Sequence, residues 1–331
     1  MSISFRCLVT AILLSAATAF AADPNAIVFT DPAKAGIDYE LQGEYAGTVK
    51  TGDDDLTIGV QVIALGDEKF QAVGFIGGLP GDGWSRGDKS HSSESKLENG
   101  VLRFASDQDD GKVVAEVKDG SIIVYVNDTK VAELTKVHRQ SPTLGAKPPA
   151  GAIVLFDGSS TSAWEGGEII DGKWLGAQNI ATKDKFGDHQ LHIEFQTPFM
   201  PTSRGQGRGN SGVYLQSRYE CQVLDSFGLE GKNNECGGIY SISEPKVNMC
   251  FPPLAWQTYD VDFTAARYDD SGKKTKNART TIRHNGVVIH DDLELTHGTP
   301  GRHEEGPEPD GVFLQNHGNP VVFQNIWVVK K

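Results

Sequence analysis

The chain has 331 residues, a formal net charge of −13, and 38% hydrophobic and 23% charged residues. That length supplies one large β core or two smaller ones. The acidic balance excludes a nucleic-acid-binding role, which needs clustered Lys and Arg; the nearest basic group, Lys273, Lys274 and Lys276, reads as a solvated hairpin tip.

The chain opens like an export signal. Arg6 is the only basic residue of a short leading segment, residues 7–17 are apolar, and Ala19-Phe20-Ala21-Ala22 offers small residues for cleavage after Ala21 or Ala22. The apolar run is too short to span a bilayer, and Cys7 does not follow a lipobox, so an exported protein without a membrane span is expected, periplasmic or extracellular. Residues 23–140 then form a small antiparallel β module. Its strands read as LTIGVQVIAL, FQAVGFIGG, VLRF, KVVAEV and SIIVYVN, punctuated by the hairpin signals Asn99-Gly100, Asp110-Gly111 and Asp119-Gly120. Trp84, in a Gly-rich loop, reads as a packing plug or a platform for a sugar ring.

Residues 141–150, SPTLGAKPPA, are a Pro-rich joint that continues neither a helix nor a central strand. From residue 151 to 331 the pattern is strand after strand: AIVLFD, KWLG, DHQLHIEFQT, SGVYLQS, YECQVLD, QTYDVDFTAARYD, ARTTIRHNGVVIHD, DGVFLQN and VVFQNIWVVK. With no helical periodicity between them, they predict an all-β, jelly-roll sandwich of two antiparallel sheets. Past the signal three cysteines remain; Cys236 and Cys250 lie in loop-like sequence and are expected to pair, whereas Cys221 reads as a buried apolar residue. No C-x-x-C spacing points to zinc.

Three constellations carry candidate chemistry. Strand alternation from Tyr219 places Glu220 and Gln222 on one face, with Asp225 at the strand end, where it swings toward the same cleft or caps the turn, and with the Gly209-Asn210-Ser211-Gly212 turn leading into the neighbouring strand. Among the nine histidines His317 stands out, two residues from Gln315 on a strand that ends at Gly318. Tyr214, Tyr240, Trp256 and Tyr259 are candidate cleft aromatics, Arg218, Arg267 and Arg302 candidate electrophiles, and the long loop 295–310 a candidate lid or binding loop. No nucleophile elbow, phosphate loop or HExxH motif is present.

Together, IVLFDGSSTSAW, WLGA, DHQLHIEF, GNSGVYLQSRYECQVLD, GGIY, WQTYDVDF, RHNG and LQNHGNPVVFQNIWV resemble the 3-keto-disaccharide hydrolase domain family over nearly all of residues 151–331. The module before it is similar to one that precedes such domains in planctomycete-type secreted proteins. The resemblance implies a concanavalin-like sandwich acting on glycosides already oxidised to a ketone at C3, as a hydrolase or as a lyase/hydratase. A C3 ketone acidifies the C2 proton, so a base can remove it while the C1 substituent departs, and water then adds back. On that basis Glu220 is the expected base or metal ligand and His317 its acid/base partner. Asn210, Gln222, Asp225, Tyr240, Trp256 and Gln315 are the expected substrate contacts. A divalent cation at the enolate is among the chemistries implied, although no ligand spacing marks a metal site. One departure is visible: Gln324 stands where the family pattern has arginine. Two other readings stand beside this one, a carbohydrate-binding sandwich without catalysis and a two-carboxylate glycosidase; Gln222, in place of a second carboxylate, weighs against the latter.

Overall fold

The structure, a computed structural model, describes residues 26–51, 54–108 and 111–331; the signal segment 1–22 and Asp110 of one hairpin signal lie outside them. The first unit is a closed antiparallel barrel. Around it run Gly43–Thr51, Thr129–Val137, Ser121–Val126, Gly111–Lys118, Val101–Gln108, Ser90–Glu98, Lys69–Ile76 and Asp54–Gly66, the last pairing back onto the first. Closure leaves no sheet edge to solvent. The interior is built from one side chain in two, with Tyr45, Val62, Phe70, Leu102, Val117, Ile122 and Leu134 almost wholly buried. Each such side chain contributes roughly 1.5–3 kcal/mol of burial. Trp84 is a packing plug: half-buried, it meets Phe75 edge-on at 5.0 Å, and its Nε1 donates to Lys89 O at 3.3 Å.

The second unit is a sandwich of two antiparallel sheets. The larger runs Ile169–Ile170, Trp174–Gly176, Val322–Lys330, His189–Gln196, Gln257–Thr264, Ala278–His284 and Val287–Leu295, with Ile153–Phe156 also paired to Val322–Lys330. The smaller runs Ile180–Ala181, Phe313–Leu314, Ser211–Leu215 and Tyr219–Val223. The hairpin at Asn285-Gly286 forms as its sequence predicts, both residues taking the positive φ (50° and 83°) that a two-residue turn of this kind requires.

Alternation assigns the faces. Leu191, Ile193, Phe195, Tyr259, Val261 and Phe263 of the large sheet share one core with Val213, Leu215, Cys221, Val223 and Leu314 of the small sheet. The intervening residues Gly212, Tyr214, Glu220 and Gln222 therefore lie on the outer face of the small sheet. On the outer face of the large sheet, residues 141–146 lie against the strands: Ser141 Oγ meets Thr258 Oγ1 (2.6 Å), Thr143 Oγ1 donates to Asp260 (2.6 Å) and Gly145 N donates to Glu194 (2.6 Å).

Barrel and sandwich pack on each other. Phe199 and Leu254 of the sandwich join the barrel core, Ile63 of the barrel joins the sandwich core, and Arg204 and Arg208 donate to Leu65 O and Ala64 O. The expected Cys236–Cys250 bridge is not formed: all three cysteines are free thiols. Cys236 and Cys250 both lie on buried turn and loop segments, and their thiols hydrogen-bond each other without a bridge. The Cys236 thiol meets the Tyr259 hydroxyl at 3.2 Å, and that of Cys250 donates to Leu224 O and Phe251 O at 3.5 Å.

Candidate functional site

Two strands set the site. In the pairing of Ser211–Leu215 with Tyr219–Val223, Tyr214 opposes Glu220 and Gly212 opposes Gln222. Gly212 is required there: a Cβ would collide with Glu220 Oε1 and lie 2.8 Å from Cε2 of Tyr214. The missing side chain leaves a hollow that the Glu220 carboxyl fills.

Glu220 is 4% exposed. Burial pushes its pKa up from the ordinary 4.5 to about 8, against the downward pull of a hydrogen bond with Tyr214. Burial and the adjacent carboxylate push Tyr214 upward in turn, so its hydroxyl stays protonated. That hydroxyl donates to Pro300 O (3.1 Å) and accepts from Gln315 Nε2 (3.1 Å). The main chain at Glu220 is fixed by Thr299, whose Oγ1 accepts from Glu220 N at 2.9 Å, and by Tyr240 N, which donates to Glu220 O at 3.3 Å.

Three amides around this carboxyl are oriented alike. Gln206, on the 3₁₀ turn Gly205–Gly207, accepts through its Oε1 from Asn210 Nδ2 (3.1 Å) and from Gln222 Nε2 (3.3 Å). Asn210 Nδ2 also donates to the Gln206 main-chain carbonyl at 2.8 Å. The oxygens of the two donating amides, Asn210 Oδ1 and Gln222 Oε1, are buried with no protein partner, and so is Gln315 Oε1. Buried acceptors of this kind need donors.

The loop 295–310 is pinned over the Tyr214 end of the hollow. Arg218 donates to Gly306 O and Glu308 O, Tyr219 OH to Glu305, and Lys274 Nζ to Glu305 at 2.7 Å; Lys274 is thus a loop anchor rather than a solvated tip. Arg267 pairs with Asp188 and Arg302 with Glu165, so neither is a spare electrophile.

Gln222 shares the outer sheet face with Glu220, Gln315 bonds Tyr214, Tyr240 bonds the Glu220 main chain and Asn210 joins through Gln206, whereas Asp225 and Trp256 are committed elsewhere. Asp225 is locked in a buried ion pair with Arg208 (2.7 Å) and accepts from Phe227 N, the turn-capping alternative. Trp256 packs on Trp174 beside the barrel, with ring centroids 5.9 Å apart. His317 does not share a strand with Gln315, because the strand Phe313–Leu314 stops before both; it is half-buried and makes no side-chain hydrogen bond. The other described histidines in residues 151–331 are structural or paired. His284, wholly buried against Gln257, has its pKa driven down to about 3 by desolvation. His290 bonds Gly237 O and His303 bonds Asp310. His192 lies beneath residues 141–146 between Asp260 and Glu194; burial alone would lower its pKa, but these bonds outweigh it and raise it. Gln324 belongs to that same cluster, donating to Glu194 at 2.7 Å, on the sheet face away from Glu220.

Among the described residues no three His, Cys, Asp or Glu side chains gather as metal ligands. A divalent cation at the hollow would find one carboxylate and neutral amide oxygens, a donor set poor in charge that does not fit a tight site.

The geometry can be set beside known proteins. Residues 151–329 match the family model of the 3-keto-alpha-glucoside-1,2-lyase-like domain. The chain belongs to that family. A search of curated proteins found no match. Among solved structures, the chain is similar to a protein of Parabacteroides distasonis ATCC 8503 provisionally assigned as a glycosyl hydrolase and solved at 2.13 Å. They share 34% identity, with a TM-score of 0.51, over 55% of this chain and 85% of that one. A second protein of that organism, with the same provisional assignment, shares 19% identity over 55% of this chain and 94% of its own, with a TM-score of 0.40. The lyase-like domain is thus the whole sandwich, and its outer small-sheet face carries Glu220. Sequence reasoning missed Gln206 and Thr299 as parts of this site and read Gly212 as a turn residue, whereas it lies in the strand Ser211–Leu215. Gly212, two residues before a Tyr on the strand facing Glu220, was the one available signal.

Proposed function

We propose that the protein is an exported enzyme that cleaves 3-keto-glycosides by elimination across C1 and C2 followed by hydration, with Glu220 as the base. The observation that carries this reading is the buried Glu220 carboxyl, its pKa raised to about 8, on an outer sheet face that also bears Gln222 and is joined by Asn210 and Gln315, three amides whose oxygens lack donors. A carboxylate of ordinary basicity is a weak match for a carbon acid; one that titrates near 8 is far better suited. Glu220 takes the C2 proton, the C2–H electron pair forms the C1=C2 double bond, the C1–O bond breaks and its oxygen leaves as an alcohol after taking up a proton. Water then adds at C1 and a proton returns to C2, so that the sum is hydrolysis. Tyr214, held protonated on the strand facing Glu220, acts as proton donor, and Asn210, Gln222 and Gln315 accept from sugar hydroxyls. The family description, which names a 1,2-lyase, agrees with elimination across those two carbons. Export is supported by the leading segment, with Arg6 before an apolar run and small residues at 21 and 22.

Incubation with a 3-keto-disaccharide and with its unoxidised parent tests the reading. Release of monosaccharide from the keto sugar alone is expected. Cleavage of the parent would replace the account with a two-carboxylate glycosidase, and binding without turnover would replace it with a lectin-like role.

A further inference from the structure

The seam between barrel and sandwich holds two hollows that share a wall. One, of about 360 Å³, is lined by Ile170, Trp174, Pro198, Leu254, Asn319 and Val322. The other, of about 290 Å³, is lined by Tyr39, Gln42, His138, Arg139, Leu254 and Trp256. Leu254 faces both, and Trp174 and Trp256 stand between them, half-exposed and tilted at 55°. Neither hollow is lined by Glu220, Gln222, Tyr214 or Gln315.

Each hollow also holds one buried amide with an unused donor. Asn319, 4% exposed, accepts from Asn210 N through Oδ1 at 2.7 Å, and its Nδ2 has no partner. Gln42, 3% exposed, accepts from Ala64 N through Oε1 at 3.0 Å, and its Nε2 has none. A buried N–H without an acceptor is costly, so two such groups on residues lining the two hollows point to a ligand rich in acceptors. Arg139 is spent on Glu44 in an ion pair, while Lys136, whose Nζ donates to the Glu40 carbonyl, keeps its charge at the second hollow and Asp171 lines the first.

Apolar ring walls, paired tryptophans and amide donors without acceptors are together the chemistry of a pyranose chain, whose C–H faces pack on aromatic rings while its hydroxyls bond the amides. We propose that this seam is a second carbohydrate-binding site, separate from Glu220, which takes a short neutral oligosaccharide with one sugar unit in each hollow. An exported hydrolase would use it to stay on a polymeric source of substrate.

The probe is a set of unoxidised trisaccharides, maltotriose, cellotriose and laminaritriose, titrated into the full chain lacking residues 1–22. Trp indole resonances are followed by NMR and affinity by calorimetry. At least one trisaccharide is expected to bind, shifting the indole signals of Trp174 and Trp256 but not that of buried Trp164. Trp174→Ala should weaken it tenfold or more and Trp174→Phe several-fold, while Glu220→Gln binds as the parent does and the rate of Trp174→Phe on a small 3-keto-glycoside is unchanged. The proposal fails if no trisaccharide binds, if both Trp174 variants bind normally, or if binding is lost in Glu220→Gln, which would place the sugar in the Glu220 hollow. Failure here leaves turnover of the keto substrate intact, so the two readings fall separately.

Discussion

Replacing Glu220 by Gln isolates the cost of burying this carboxyl. Its pKa is about 8 in the folded protein, against an ordinary 4.5. The folded state therefore holds a proton that the unfolded chain has already lost through that window. The sign follows directly: the stability linked to this proton is complete below pH 4.5, declines as pH rises toward 8, and is flat beyond it. At about 1.4 kcal/mol per pH unit, the decline between pH 5 and 8 is on the order of 4 kcal/mol. Gln keeps the shape and titrates nothing. Glu220→Gln should therefore match the parent near pH 5 and become progressively more stable than it toward pH 9, by several kcal/mol, while losing turnover. Urea unfolding of both proteins at half-unit pH steps reads this out. Parallel stability curves would refute the claim that the carboxyl is buried and proton-retaining.

Other substitutions test the surroundings. Gly212→Ala puts a methyl against Glu220 Oε1 and within 2.8 Å of the Tyr214 ring; it should cost about 1–3 kcal/mol in overpacking and at least tenfold in kcat, measured by unfolding and by initial rates. Asp225→Ala leaves Arg208 buried without its partner and should lower stability by roughly 3–5 kcal/mol. A smaller loss at Asp225, with abolished binding instead, would return that residue to the site. Thiol titration of the unfolded chain lacking residues 1–22, without reductant, should give three reactive groups, and reductant should not move Tm; one reactive group would show that a bridge forms.

Much of the fold is written in local pattern. HQLHIEFQ and QTYDVDFT alternate along their whole length, and Asn285-Gly286 dictates its own turn, so the large sheet of the sandwich is readable strand by strand. The barrel is less so, since SHSSESKLE forms the strand Ser90–Glu98 with hardly an apolar residue, held by pairing on both sides rather than by a buried stripe. Within the site, alternation places Glu220 with Gln222, because two residues on one strand share a face whatever the fold does. Asp225 is lost to Arg208, 17 positions earlier, through a contact only the closed sheet creates. Asn210 and Gln222 are oriented by Gln206 in the same way, across 4 and 16 positions. His317 leaves the expected strand for a simpler reason, since the strand ends at Leu314 and, after a last bond from Gln315 N to Gly212 O, the backbone turns to the Asn179 side chain.

The central claim is that Glu220 removes the proton at C2. Cleavage of a 3-keto-disaccharide in deuterium oxide, with product examined by NMR at initial times against an enzyme-free control, tests it directly. Elimination and hydration place solvent deuterium on C2 of the released 3-keto sugar at each turnover, at a rate that rises with pH toward 8 and vanishes in Glu220→Gln. Cleavage that leaves the original hydrogen on C2, or that survives intact in Glu220→Gln, would contradict it.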